Sequence, residues 1–118
     1  MEREKRREHR HTLRLTTEVH LNEQPLEGMF RCRTENIGLT GAFLPSDDLP
    51  LVQKSDVELV LHAVTKSAPT QYHIHAEVVR TTNGGAGLRF TQLDPQEQKK
   101  FRRFLLEAKI AARQSDET

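Results

Sequence analysis

The sequence predicts a mostly β fold: a six-stranded antiparallel barrel with one C-terminal α-helix and a flexible N-terminal arm. Three observations carry that expectation. Apolar residues alternate in short runs separated by turn signals, a helical period appears only after residue 94, and the opening twelve residues are dominated by charge.

Leu13, Leu15, Thr17, Val19 and Leu21 fall on alternate positions, with Arg14, Glu18 and His20 between them, which is the period of a half-buried strand. Asn22 to Gly28 contains Pro25 and Gly28 and lacks a period, so it is expected to turn the chain into a second strand through Phe30, Cys32 and Thr34. Ala42 to Leu44 reads as a short third strand after Gly41. Pro45 to Asp56, with two prolines, Ser46, Asp47 and Asp48, reads as a loop. Val57, Leu59 and Leu61 predict a fourth strand, Ile74, Ala76 and Val78 a fifth, and Leu88 with Phe90 a sixth. Thr65 to Thr70 is expected to connect the fourth and fifth. Asn83-Gly84-Gly85 is expected to supply positive φ for a hairpin before the sixth. Short strands without alternating helices favour an antiparallel barrel or sandwich over a parallel sheet.

The period then changes. Asp94 suits a helix cap, Pro95 the first helical position, and Glu97 stands three residues after Asp94. Phe101, Phe104, Leu105 and Ala108 recur at helical spacing, while Lys99, Lys100, Arg102 and Arg103 are expected to face away, so the helix is amphipathic and packs on the barrel. The expected organisation is a basic arm over 1–12, a barrel with its helix over 13–112, and a fraying polar tail over 113–118.

Composition narrows the function classes. The chain has 118 residues, of which 35% are hydrophobic and 30% charged, enough for one domain with a thin core. Cys32 is the only cysteine, which rules out an internal disulfide and a cysteine-based zinc site and fits a reducing cytoplasm. No apolar run approaches the roughly 18 residues of a membrane span, and the charged stretch from Met1 to Arg14 is not a secretory leader. The overall net charge of +1 conceals an uneven distribution: Arg3, Lys5, Arg6, Arg7, Arg10 and Arg14 face only Glu2, Glu4 and Glu8 in the opening segment. That points to a local anionic partner more than to a long polyanion.

Two segments carry candidate chemistry. In Arg6-Arg7-Glu8-His9-Arg10 each guanidinium fork can pair with a phosphate or with the O6 and N7 edge of guanine, or stack on a purine. An isolated cluster of this kind is more often a solvated basic tail. In Asn36-Ile37-Gly38-Leu39-Thr40-Gly41 the carboxamide can pair with a base edge, while Gly38 and Gly41 permit close backbone approach; alone, it is an ordinary tight connection. It matches neither glycine-rich phosphate fingerprint.

Together, an R-x-x-x-R arm before strand one and an N-x-x-x-x-G turn after strand two resemble the PilZ domain family, whose motifs are RxxxR and [D/N]xSxxG. Gly87-Leu88-Arg89-Phe90 is also similar to that family's closing strand. The resemblance spans nearly the whole chain and implies a six-stranded PilZ-type barrel that binds cyclic di-GMP. It assigns Arg6 and Arg10, assisted by Arg7, to guanine and phosphate groups, and Asn36, with Gly38 and Gly41, to the turn. Gly38 stands where the family has serine; losing that hydroxyl contact costs about 1 kcal/mol. Arg10 to Arg14 forms an overlapping R-x-x-x-R, and Arg6 with Arg10 is preferred because Arg14 falls on the outward phase of the strand.

The expected function is therefore a non-catalytic cyclic di-GMP receptor of the bacterial cytoplasm. Its arm closes on the ligand and signals to a protein partner, in settings such as biofilm formation or motility. The alternative is a PilZ-like protein-interaction module without nucleotide affinity, which Gly38 favours. Binding of RNA or single-stranded DNA is disfavoured by the lack of tryptophan and the presence of one tyrosine. His62, His73 and His75 read as a solvated strand face and not a metal site, Cys32 as a small buried side chain, and Ser46, Ser55 and Ser67 as loop residues without a nucleophile pattern. No catalytic residue, metal or cofactor is expected.

Overall fold

The computed structural model describes residues 12–23, 26–45, 51–65 and 68–116. Its elements are β1 (Thr16–Glu23), β2 (Leu26–Arg33), β3 (Asn36–Ile37), β4 (Gly41–Pro45), β5 (Asp56–Thr65), β6 (Ala68–Thr82), β7 (Gly85–Thr91) and α1 (Pro95–Asp116). The strands form one antiparallel sheet in the order β2-β1-β5-β6-β7-β4-β3. The sheet curls until β2 approaches β4, giving a half-barrel.

Seven strands stand where the sequence predicts six. The additional one is Asn36–Ile37, read from sequence as part of a turn, which pairs with Phe43 and Ala42. Two residues are too short for a period to register. The first ladder starts at Thr16 and not Leu13, because the backbone of Leu13 and Leu15 is engaged by Thr34 instead. Thr65 to Thr70, expected as a connection, is mostly ladder: Thr65 pairs with Ala68, and β5 and β6 continue as a hairpin up to residues 66–67. β6 reaches 15 residues by pairing with β5 over residues 68–77 and with β7 over residues 75–82. A register shift between Val78 and Arg80 interrupts the β6–β7 ladder just beyond the part shared with β5.

Alternation puts Val19, Leu59, Leu61, Ile74, Val78 and Leu88 inside the curl, and α1 closes it with Phe101, Phe104, Leu105 and Ala108. Tyr72 and Phe90 each lie 5.1 Å from the Phe101 ring centroid, Phe90 edge-on, so the first half of α1 is sealed by aromatic contacts. The predicted cap is present: Asp94 Oδ1 accepts the Glu97 N–H at 2.8 Å, and the Asp94 carbonyl accepts the Gln98 N–H at 2.9 Å. The Glu97 carboxylate does not return to the cap; it accepts the Tyr72 hydroxyl at 2.9 Å, tying the start of α1 to β6. Lys99, Lys100, Arg102 and Arg103 are exposed, as their phase predicts. The helix takes in residues 113–116, assigned from sequence to the polar tail.

In the Asn83-Gly84-Gly85 hairpin, only Gly85 has the positive φ expected of the group, at 150°. A Cβ on Gly85 would stand 2.1 Å from the Leu44 carbonyl oxygen, so β7 and β4 approach here too closely for any side chain.

Candidate functional site

The segment that joins the arm to the sheet is held by one buried threonine. The Thr34 hydroxyl donates to the Leu13 carbonyl at 2.5 Å and accepts the Leu15 N–H at 2.9 Å. Its own N–H donates to the Leu15 carbonyl at 3.0 Å. Thr17 adds a hydroxyl bond to the same Leu15 carbonyl at 2.9 Å. Leu13 and Leu15 place their side chains in the core, so both the polar and the apolar surfaces of this segment are satisfied. Thr34 lies two residues before Asn36, and the intervening Glu35 N–H donates to the Phe43 carbonyl at 2.9 Å. The root of the arm and the Asn36 turn therefore share one end of the sheet.

Asn36 is half-buried in β3. Its Oδ1 is shielded from solvent and has no hydrogen-bond partner, the single buried side-chain polar atom in that condition among the described residues. Leaving such an acceptor unpaired costs about 1–3 kcal/mol, and orphaned atoms of this kind often mark functional positions. Beyond it, the Gly38 N–H donates to the Gly41 carbonyl at 2.9 Å and closes the turn, while the Thr40 carbonyl accepts the Phe90 N–H at 2.8 Å and anchors it to β7. Gly38 and Gly41 are both buried. Arg6, Arg7 and Arg10 lie outside the described residues. Arg14, the last member of the alternative register, is exposed, and its carbonyl lies 3.4 Å from Arg33 Nη2.

Beside the arm's root runs an open groove of about 760 Å³ between the Thr12–Thr16 segment, the end of the β5–β6 hairpin and the second half of α1. Among the described residues, Arg14, Arg33 and His62 are its ionisable lining residues, and no carboxylate lines it. Sequence reasoning missed both the groove and Arg33, because neither exists until Thr16 is brought beside Arg33 and His62 by the ladders. The alternation of β2, which places Arg31 and Arg33 on its outward phase, was the one available signal.

The histidines divide. His62 Nε2 lies 2.8 Å from Glu18 Oε2, and His20 Nε2 lies 3.0 Å from Glu18 Oε1. The bond to His62 and then that to His20 hold the Glu18 carboxyl below the usual carboxylate range. His73 and His75 are exposed on β6, and His73 Nδ1 stands 3.9 Å from Glu58. Among the described residues, no group of three or more such side chains is placed to hold a metal ion. Cys32 packs half-buried against the core, and burial pushes its thiol up to about 11, well above the range of a reactive thiolate. The Ser55 hydroxyl donates to the Val52 carbonyl at 2.5 Å; Ser46 and Ser67 lie outside the described residues. No helix among the described residues is long and apolar enough to cross a membrane.

Comparison with known structures finds the same fold. The PilZ domain of YcgR from Escherichia coli, solved with c-di-GMP, superposes with a TM-score of 0.71 at 15% identity, over 98% of this chain and 99% of that one. The inhibitor of motility MotI/DgrA from Bacillus subtilis matches with a TM-score of 0.67 at 15% identity over 98% of this chain; the chain spans 53% of that protein's length. The PilZ domain of CeSA from a cellulose-synthesizing bacterium matches with a TM-score of 0.62 at 17% identity, over 83% of this chain and 95% of that one. Comparison with curated proteins gives no match. The family model described as PilZ domain aligns with residues 4–107, from within the arm to well along α1. The chain belongs to the PilZ domain family, a family of ligand-binding receptor domains and not of enzymes.

Proposed function

We propose that the chain is a cyclic di-GMP receptor of the cytoplasm, in which Arg6, Arg7 and Arg10 of the arm and the Asn36–Gly41 turn hold the dinucleotide between them. The observation that carries this reading is the Thr34 clamp: its bonds to Leu13 and Leu15 bring the arm's root to within two residues of Asn36. A guanidinium leaving the barrel at that point has a carboxamide and a glycine turn within reach of the same nucleotide. The unpaired Asn36 Oδ1 adds to this, since a donor from ligand or arm would satisfy it after a small rotation of the side chain.

Binding then orders the arm. Fixing each residue costs about 1–2 kcal/mol, and charge-assisted hydrogen bonds to a phosphodiester offset that cost only when the ligand is present. The population shift changes the surface offered to a protein partner. Calorimetric titration of wild-type, Arg6→Ala and Arg10→Ala proteins with cyclic di-GMP tests the site. Loss of binding in both variants supports it, and binding unchanged by both substitutions rejects it.

The second reading, a protein-interaction module without nucleotide affinity, is favoured by Gly38, which brings a backbone N–H to the turn but no hydroxyl. A wild-type protein that takes up no dinucleotide in the same titration selects it.

A further inference from the structure

We infer that Arg33 is an additional ligand-binding residue, and that the groove it borders receives a phosphate and one purine of the dinucleotide. The inference rests on the cyclic di-GMP reading above and extends the site to a residue outside both the arm and the turn.

Arg31 and Arg33 are both exposed on β2, two residues apart. Arg31 pairs across the ladder with Glu18, whose carboxyl feels its charge. Arg33 pairs across the ladder with Thr16, which offers no charge. Among the described residues its side chain forms no ion pair, and its one side-chain hydrogen bond, to the Arg14 carbonyl, is 3.4 Å long. Next to it, His62 is already turned to Glu18. Among the described residues, the groove therefore has two guanidinium groups at its rim, Arg14 and Arg33, and no acid in its lining. Charge complementarity selects an anion, and the Arg33 fork suits a phosphodiester in two-pronged geometry.

The rest of the lining selects what accompanies the anion. Ala63, Pro69, Ala108, Ala111 and Ala112 form an apolar wall of short side chains. Such a wall leaves a flat ring free to lie against it, and the groove's volume of about 760 Å³ falls within the usual range of small-molecule sites. A phosphate at Arg33 with a purine against the alanines is the arrangement that uses both features. Because Arg33 lies three residues before Asn36, one cyclic dinucleotide held at the turn extends into this groove.

The test compares Arg33→Ala, Arg33→Lys, Arg31→Ala and Ala112→Glu with wild type by calorimetric titration with cyclic di-GMP, with thermal melts to establish folding. Arg33→Ala is expected to weaken binding at least about tenfold, or roughly 1.4 kcal/mol. Arg33→Lys keeps the charge without the fork and is expected to fall between. Arg31→Ala removes the same charge nearby and is expected to stay within about twofold, while Ala112→Glu sets a carboxylate where the purine lies and is expected to weaken binding several-fold. Arg33→Ala at wild-type affinity, or Arg31→Ala as damaging as Arg33→Ala, overturns the inference and leaves the receptor reading standing. Ala112→Glu at wild-type affinity overturns the purine placement. A wild-type protein without affinity overturns both the inference and the reading beneath it. Should Arg33→Ala fail to fold, Arg33→Lys and Ala112→Glu decide alone.

Discussion

Along its first half α1 presents Phe101 and Phe104 to Tyr72 and Phe90; along its second half it presents Ala108, Ala111 and Ala112 to the segment at the arm's root. The same helix thus leaves a hollow of about 400 Å³ beside Tyr72 and Phe104 along its first half and a groove of about 760 Å³ along its second. Aromatic rings bury large areas and hold the helix in place, whereas alanines let the helix come close without occupying the groove. The half that provides the aromatic packing is not the half that borders the larger space, so substitutions in the two halves are expected to act on different properties.

Phe101→Ala should have the largest effect, because Phe101 is fully buried among three other rings; a loss of about 3–5 kcal/mol is expected in urea unfolding. A loss below about 1 kcal/mol would remove the basis for contrasting the two halves. At the opposite end, Thr34→Val deletes the hydroxyl that binds both Leu13 and Leu15. A loss of about 1–3 kcal/mol is expected, with faster amide exchange at Leu15; unchanged exchange there would show that the Thr34 hydroxyl does not hold the arm's root. Asp94→Ala removes the cap and should cost about 1 kcal/mol in the same unfolding measurement.

A pH titration sharpens the comparison from the aromatic side. Burial first, and then its hydrogen bond to Glu97, push the Tyr72 hydroxyl up to about 12. The folded chain keeps a proton that the unfolded chain releases near pH 10. Stability is therefore fully present below about pH 10 and declines as pH rises through the folded value. Absorbance of the chain's one tyrosine reports the midpoint directly, and Glu97→Gln should lower it. An ordinary midpoint near 10 would mean that this end is open to water. The smallest effect belongs to Ala112→Ser: the side chain is exposed beside the groove, and a change within about 0.5 kcal/mol is expected by thermal unfolding.

What could be read from the sequence follows from the same contrast. The aromatic half announced itself through local signals: Asp94-Pro95 with Glu97 marks a helix start, and Phe101, Phe104, Leu105 and Ala108 repeat at helical spacing. Strands of alternating burial, such as β6 through Ile74, Ala76 and Val78, were equally plain. The Asn36 turn was legible as a motif, but its two-residue strand was not, because pairing with Phe43 and Ala42 is set by tertiary approach and not by period. Thr65 to Thr70 carried no glycine to signal that Thr65 pairs directly with Ala68, so a hairpin looked like a connection. The groove was beyond reach for a different reason: Arg33 acquires meaning only when the ladder sets it against Thr16 while Arg31 is set against Glu18.

Gly84 and Gly85 are neighbours with the same chemistry and opposite latitude. Nothing lies within 4 Å of a methyl group built on Gly84, whereas one on Gly85 collides with the Leu44 backbone. In a saturation library sorted for soluble protein, position 84 should tolerate many amino acids and position 85 should return glycine alone, so an aligned family would show one silent column beside one invariant column.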